Sequence, residues 1–592
     1  MSNEKNSSAQ ERHGKSSAQT KNKNYKKKPT HYGGKKHSAN EKTSHKSGSG
    51  HKSGYKKSYK GGSKAPAKKR VEAPVPPVRV AFLGGLNEIG KNMTLFECMG
   101  DMVLLDCGMA FPDGEMLGVD LVIPDFTYVE ENKDKIKGIV ITHAHEDHIG
   151  GLPYLLSKIS APIYASDLAC GLIENKLKEH SLPRPTEFVT VKPSQKIKLG
   201  CMEIEFIHVN HSIPAAMAIA LHTPAGTIIH TGDFKVDYTP TWGAPIDLSA
   251  FARLGDKGVL CLMADSTNAS RPGSTATEQT VSESFDSLFK KAINKRIIIA
   301  TFASNVGRVQ SIINCANKYG RKVAFSGRSM VNYMSVASEL GYLEIPEGIL
   351  IDIDMLSRYS PEQVVLITTG SQGEPMSALS RMAYSDHRKV SVGEGDCIII
   401  SANPIPGNER TVGNVVDELL KRGCEVIYES MYDVHVSGHA CRDEIKLLMA
   451  LLKPKYFMPV HGEYRHLAAN RELALDMGIP DRNIFISDIG KVLEIDSKGA
   501  RFAGTVPSGK ILVDGYGVGD VGNIVLRDRR HLAQDGLIVV VASVDTDAGL
   551  LISGPDVVSR GFVYVRESEE LMDEVRSIAT EAIEKCLSHR AP

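Results

Sequence analysis

The chain has little of what holds small secreted or membrane-spanning proteins together. Its 592 residues include ten cysteines, no two of them in a CxxC pair, and one tryptophan. Thiols so scattered exclude a disulfide-stapled scaffold and suit a reducing compartment. No apolar segment opens the chain as a secretory leader would, and no stretch approaches the ~18 consecutive apolar residues of a membrane span. A cytoplasmic protein with no membrane association is expected. Core-forming residues are plentiful: 42% of the chain is hydrophobic, enough at this length for three or four domains.

Net charge is also nearly absent, at +1, but it is unevenly spread. Residues 1–77 hold 20 Lys and Arg against 4 Asp and Glu, leaving 51 against 66 in the remainder. This first segment is Lys, Ser, Gly, Asn and His with isolated Tyr25, Tyr32, Tyr55 and Tyr59, and it has no apolar period. Such a segment cannot bury enough surface to offset the entropy of ordering it, so a disordered basic tail is expected. It suits salt-dependent contact with nucleic-acid phosphates or service as a solubilising tail. Ala73-Pro74-Val75-Pro76-Pro77 marks its boundary.

The densest chemistry is Thr142-His143-Ala144-His145-Glu146-Asp147-His148, after the apolar run Ile139–Ile141 and before Ile149-Gly150-Gly151. Imidazole and carboxylate are zinc ligands, and a turn leaving a strand can splay His143, His145, Asp147 and His148 toward two neighbouring metal positions. Two metals need further ligands. His211, Asp233 and His461 each follow another strand-like run and complete seven. Asp106, closing Met102–Leu105, suits the orientation of a ligand from behind. Gly84-Gly85-Leu86-Asn87-Glu88-Ile89-Gly90 has the look of a phosphate loop, but no helix pattern follows, which assigns it to backbone beside the metals. Gly118 and Asp120 with distant Asp514 could hold a structural Ca²⁺, or could be ordinary surface carboxylates.

Short strands dominate from Val78 to Ala264, with helices over Ile149–Ile159 and Asp167–His180, as in a layered α/β fold. Regular βα alternation then runs to Tyr428, the signature of a parallel, doubly wound sheet inserted before the strand that delivers His461. Its turns Phe302–Asn305, Thr369–Gly373 and Ala402–Pro404 have phosphate-binding chemistry at strand ends. The insertion is expected to sit above the metals. Leu537–Ser543 and Phe562–Val565 read as strands and Ser568–Leu587 as a helix.

The ligand set resembles the metallo-β-lactamase superfamily, and the split by an insertion resembles its β-CASP branch. Over 78–592 the motifs His-Ala-His-Glu-Asp-His, Asn-His-Ser-Ile-Pro, Thr-Gly-Ser-Gln-Gly-Glu-Pro, His-Val-Ser-Gly-His-Ala and Pro-Val-His-Gly-Glu-Tyr-Arg are similar to those of the bacterial ribonuclease J family. The resemblance implies an αββα metallo-β-lactamase sandwich at 78–279 and 443–500, with a β-CASP domain at 280–442. A linker at 501–517 and a shortened α+β C-terminal domain at 518–592 would follow. It implies one metal at His143, His145 and His211, a second at Asp147, His148 and His461, and Asp233 bridging them. Asp265 and His439 would be catalytic, and Ser304, Asn305, Val306, His435, Val436, Ser437, Gly438 and His439 would bind substrate.

The implied activity is a zinc-dependent ribonuclease with two Zn²⁺ per subunit, Mn²⁺ or Mg²⁺ substituting in vitro. It would digest 5′-monophosphorylated RNA stepwise from the 5′ end, cut internally as well, and use a metal-activated water. Implied partners are single-stranded RNA, including mRNA and rRNA precursors, a second copy or three more copies of the chain, and an RNA degradation complex. Two other readings compete, a small-ester metallo-hydrolase and a non-catalytic RNA-binding scaffold.

Overall fold

The structure, a computed structural model, describes residues 75–589 except 181, 183–184, 375, 405–407, 429–430, 516 and 563–568. The expected basic tail thus lies outside the described residues apart from its last three, and so does most of the expected strand Phe562–Val565.

Two sheets face each other. One has eight strands, in the order Ala500–Thr505, Lys491–Ile495, Val78–Gly84, Met93–Cys98, Asp101–Leu105, Ile136–Val140, Ile163–Ala165, Phe188–Thr190. The other has six: Tyr456–Val460, Cys261–Asp265, Gly226–His230, Met217–Thr223, Met202–His208, Lys196–Leu199. Alternate residues of each strand meet between them, Val80, Phe82, Phe96 and Val140 against Phe206, Ile219, Ile228 and Met458. Their outward-facing neighbours are apolar too, so each sheet must be covered on its far side. Leu104 and Ile139 pack under helices Leu152–Lys158 and Asp167–Lys178. Leu262 and Phe457 pack under Leu248–Lys257, Arg442–Leu452 and Tyr464–Asp476. The result is the expected αββα sandwich.

Between Cys261–Asp265 and Tyr456–Val460, which pair in parallel as immediate neighbours, the chain leaves to build a five-stranded parallel sheet. Its order is Lys322–Ser326, Val364–Thr368, Arg296–Ala300, Asp396–Ile400, Glu425–Ile427. Val364–Thr368 and Asp396–Ile400 are buried along their whole length, as strands covered on both faces must be. The excursion ends where it began, so whatever it carries is held over the carboxyl ends of the sandwich strands.

Three regions differ from the sequence reading. Ile149–Ile159 is not one helix but two, Glu146–Ile149 and Leu152–Lys158. Gly150 and Gly151 break it because the chain passes too close for side chains. A Cβ on Gly150 would lie 2.3 Å from Met109 Cγ, and one on Gly151 2.7 Å from the Gly108 carbonyl oxygen. Residues 501–517, read as a linker, supply most of strand Ala500–Thr505 and also Lys510–Asp514, which pairs with Leu121–Pro124. Near the C-terminus, Leu537–Asp545 pairs with Leu550–Arg560, a strand the sequence reading did not mark, and an unexpected helix, Asn523–Asp535, precedes the pair. No helix among the described residues is long and apolar enough to cross a membrane.

Candidate metal centre

All seven side chains expected as ligands converge at one edge of the sandwich. His143 and His145 lie in the turn after strand Ile136–Val140, and Asp147 and His148 in the short helix that follows. His211 follows Met202–His208, Asp233 follows Gly226–His230, and His461 is the first residue beyond Tyr456–Val460. They form two groups with one shared member. His143, His145, His211 and Asp233 make the first, and Asp147, His148, His461 and Asp233 the second.

In the first group His145 Nδ1 is 3.0 Å from His143 Nε2 and 3.1 Å from His211 Nε2, while Asp233 Oδ2 is 3.7 and 3.9 Å from those same Nε2 atoms. In the second, Asp233 Oδ2 is 3.3 Å from His148 Nε2 and 3.5 Å from His461 Nε2. Asp147 Oδ2 is 3.5 and 3.3 Å from the same two nitrogens. A tetrahedron with ligand bonds of about 2.1 Å has edges of about 3.4 Å, inside both ranges. The donor sets, three imidazoles with a carboxylate and two of each, are those of a divalent ion such as zinc.

The hydrogen bonds behind the imidazoles turn their lone pairs inward. Asp106 accepts from Thr142 N–H at 2.8 Å and from Thr142 Oγ1 at 2.9 Å. That hydroxyl has no second proton, so at 3.0 Å it accepts from His143 Nδ1. His148 Nδ1 donates to Asp106 as well, at 2.8 Å. Thr267 repeats the device. It donates to Asp265 at 2.8 Å and accepts from His461 Nδ1 at 2.8 Å. His211 Nδ1 donates to the Gly438 carbonyl at 2.8 Å. Each of these four rings therefore turns Nε2 toward the centre, the orientation that carboxylate-backed metal histidines adopt.

The backbone is bent to the same end. Asp106 and His461 lie in the left-handed region, at φ 59° and 57°, which costs about 1–2 kcal/mol for a residue with a Cβ. The His461 turn is held by a bridge from Leu86 to Gly462, so the glycine-rich loop does run beside the centre. Asn92, just past that loop, donates to the Asp147 backbone and carboxylate oxygens at 3.1 and 3.2 Å. Asn92, Thr142 and Thr267 were not singled out from the sequence. Their one signal is adjacency to ligand-bearing loops, which many polar residues share.

Burial and neighbouring imidazoles hold His143 and His211 well below the usual imidazole pKa. His148 and His461 are equally buried, but Asp233, with Asp147 beside both, pulls them well above it. Asp233 and Asp147 stay ionised despite burial because those imidazoles surround them. The second group is thus the more acidic surrounding. Asp106→Asn should weaken metal binding there and at His143 about 10–100-fold. Competition with a chromophoric chelator measures it, and unchanged affinity would mean that Asp106 orients neither ring.

His439 stands over the centre, its ring 5.0 Å from that of His211 and 5.5 Å from that of His461. Its Nδ1 donates to Asp265 Oδ2 at 2.8 Å. Ser437 Oγ accepts from Asn268 at 2.8 Å and from His439 N–H at 3.2 Å, and the Val436 carbonyl from buried Arg308 at 3.3 Å. His435 Nδ1 accepts from Arg308 at 2.8 Å, and burial with that guanidinium drives its pKa down to about 2. Asn305 caps helix Val306–Lys318 through Arg308 N–H, and the Ser304 carbonyl accepts from Val306 N–H. These groups are gathered between sandwich and insertion, and the insertion reaches the ligand turn through Tyr333, which donates to the Ala144 carbonyl at 3.1 Å.

At the expected calcium position Gly118, Asp120 and Asp514 come together beside Arg529. Asp514 is ion-paired with Arg529, which also donates to the Leu117 carbonyl at 2.9 Å, and Asp120 accepts from Gly515 N–H at 2.7 Å. The guanidinium lies against Gly118, 2.8 Å from where a Cβ would be. These residues are not among the metal-competent groups of the described residues.

Sandwich, inserted parallel sheet and paired His/Asp clusters define a metallo-hydrolase of the metallo-β-lactamase fold with a β-CASP insertion. Family models agree: the metallo-beta-lactamase superfamily matches residues 86–260, the ribonuclease J beta-CASP domain 294–419, the Zn-dependent metallo-hydrolase RNA specificity domain 424–486, and the ribonuclease J C-terminal domain 524–592. The chain is 45% identical to ribonuclease J 1 of Streptococcus pyogenes over 87% of its own length and 91% of that protein's. It is 43% identical to ribonuclease J2 of Bacillus subtilis over 86% and 92%. A crystal structure described as a protein of unknown function from Enterococcus faecalis V583 shares the fold, with a TM-score of 0.50 at 16% identity, over 71% of this chain and all of that one. The chain belongs to the ribonuclease J family of metal-dependent ribonucleases.

Proposed function

We propose that the chain is a two-zinc ribonuclease that degrades and matures single-stranded RNA in the cytoplasm. It digests mRNA and rRNA precursors from 5′-monophosphate ends toward 3′ and also cuts internally. One observation carries the two-metal part of this reading. A single carboxylate oxygen, Asp233 Oδ2, stands 3.3–3.9 Å from four imidazole nitrogens, two in each cluster. An oxygen so placed suits a bridge between two cations and has no comparable use around one.

Two divalent ions held there would neutralise charge on the phosphoryl oxygens and lower the pKa of the attacking water toward ~7. The chain's own groups do the rest. Asp106 and Asp265, through Thr142 and Thr267, keep the ligand rings in one tautomer and cost no reorganisation during reaction. Burial lowers the His439 pKa and the Asp265 carboxylate beside it more than reverses this, which favours a protonated ring whose Nε2–H can pass a proton to the departing 3′ oxygen. Backbone and side-chain donors at Ser304–Val306 and His435–Gly438 suit a terminal phosphate one nucleotide away. The 5′ preference, the internal cleavage and assembly as a homodimer or homotetramer within an RNA degradation complex rest on family membership.

Purified chain with 3′-labelled RNA tests this directly. Mononucleotides should accumulate from 5′-monophosphorylated RNA, more slowly from 5′-triphosphorylated RNA, and not at all after chelation, with Zn²⁺ restoring release. Release that persists in chelator would end the metal mechanism. Binding without any release would favour a scaffold.

A further inference from the structure

A cavity of about 240 Å³ opens beside His211, between the sandwich and the first turn of helix Val306–Lys318. Its lining includes Trp242, the one tryptophan of the chain, with Ser212, Lys235, Asp237, Glu278 and Asn305. Trp242 belongs to none of the groups described above. Its indole N–H has no partner among the described residues, and the ring is only partly buried.

The segment bearing Trp242 hangs from two ligand-bearing loops. Asn210, next to His211, donates to the Ala244 carbonyl at 2.9 Å and accepts from Ile246 N–H at 2.9 Å. His208 donates to the same carbonyl at 2.9 Å. Lys235 N–H, two residues past Asp233, donates to the Asn210 carbonyl at 2.8 Å. On its other side the segment lies across the helix start, where a Cβ on Gly307 would be 3.6 Å from Thr241 Oγ1 and 3.9 Å from Trp242 Cβ. The backbone that carries the indole is thus tied to the ligand-bearing loops.

Charge inside the cavity is already matched. Lys235 pairs with Asp237 at 3.3 Å, and Glu278 with Arg308 at 2.8 Å. No unpaired cation is left there for a phosphate. An aromatic face beside polar groups and paired charges suits a planar heterocycle with hydrogen-bonding edges, and the volume, below the roughly 300 Å³ of ordinary ligand pockets, limits the occupant to about one nucleotide unit.

We infer that this cavity receives one base of the RNA, stacked on Trp242, as a sequence-tolerant subsite beside the metal centre. The inference rests on the ribonuclease reading and adds a place where the strand is gripped by its base rather than by its phosphate.

Because Trp242 is the one tryptophan, its emission reports on this site alone. A 5′-monophosphorylated oligoribonucleotide with phosphorothioate linkages, labelled at its 3′ end, is titrated with the metal-loaded full chain while label anisotropy and tryptophan emission are followed together. Emission should change with the anisotropy midpoint. A series carrying one abasic site per oligonucleotide should lose the change at a single position. Trp242→Ala should weaken binding between about fivefold and a hundredfold, raising KM more than it lowers kcat, and Trp242→Phe should recover most of the loss. Binding seen by anisotropy with unchanged emission and an unaffected Trp242→Ala would overturn the inference and leave the ribonuclease reading intact. No binding and no cleavage of any RNA would overturn both.

Discussion

Asp233→Ala should abolish RNA cleavage, lowering the rate by on the order of 10⁴-fold or more, and should strip metal from both positions at once. The expectation follows from Asp233 Oδ2 belonging to both clusters. Every other ligand serves one. His211→Ala should therefore empty the first position preferentially and His461→Ala the second, and Asp233→Ala should behave like their combination. Groups that act as a unit are not additive in their loss, so Asp233→Ala and Asp233→Ala/His461→Ala should be almost equally inactive. Metal per chain by atomic emission, alongside single-turnover cleavage, reads both effects. The thermal midpoint of the wild type should rise with added Zn²⁺ and that of Asp233→Ala should not, because a ligand stabilises only the state that binds it. Two metals retained by Asp233→Ala, with cleavage within tenfold of wild type, would show that no shared oxygen is needed.

The ligand set was legible in the sequence because each residue type stands out at the end of an apolar run, where a strand must stop. His461 was legible for the same reason, though 313 positions separate it from His148. The polar groups behind the ligands were not. Thr142 and Thr267 set ring tautomers through one hydroxyl each, but threonine beside a strand end is too common to single out. The split of Ile149–Ile159 depends on Met109 and Gly108 passing close to Gly150 and Gly151, a contact no local pattern announces. Lys510–Asp514 finds its partner Leu121–Pro124 almost four hundred residues earlier, so its pairing carries no local turn signal. Helix Asn523–Asp535 has no buried residue, and its apolar side chains stand at its two ends with Arg527–His531 between them, a weak helical pattern. The approach of Arg529 to Asp514 and Gly118 likewise exists only in three dimensions.

His439→Ala should lower cleavage about 10²–10⁴-fold, the usual contribution of a positioned proton donor, and leave two metals in place. The ring contributes to neither metal group with a shared oxygen, yet it stands within 5.0–5.5 Å of two ligand rings. Rate loss without metal loss is what separates a proton donor from a ligand. Asp265→Asn gives the second readout. Burial lowers the His439 pKa and the Asp265 carboxylate more than reverses this, leaving it raised. A donor must be protonated, so its activity is present below its pKa and lost as pH rises through it. Removing the carboxylate charge lets burial prevail, and the alkaline limb of the pH–rate profile should move to lower pH. The position of that limb belongs to the coupled pair and not to either residue alone. Asp265 also accepts from Thr267, which positions His461, so Asp265→Asn is paired with Thr267→Val. That variant disturbs the His461 ring and spares the carboxylate beside His439, and it should weaken metal binding with the alkaline limb unmoved. A limb that stays in place in Asp265→Asn would leave His439 as a structural imidazole, satisfied by a buried carboxylate and nothing more.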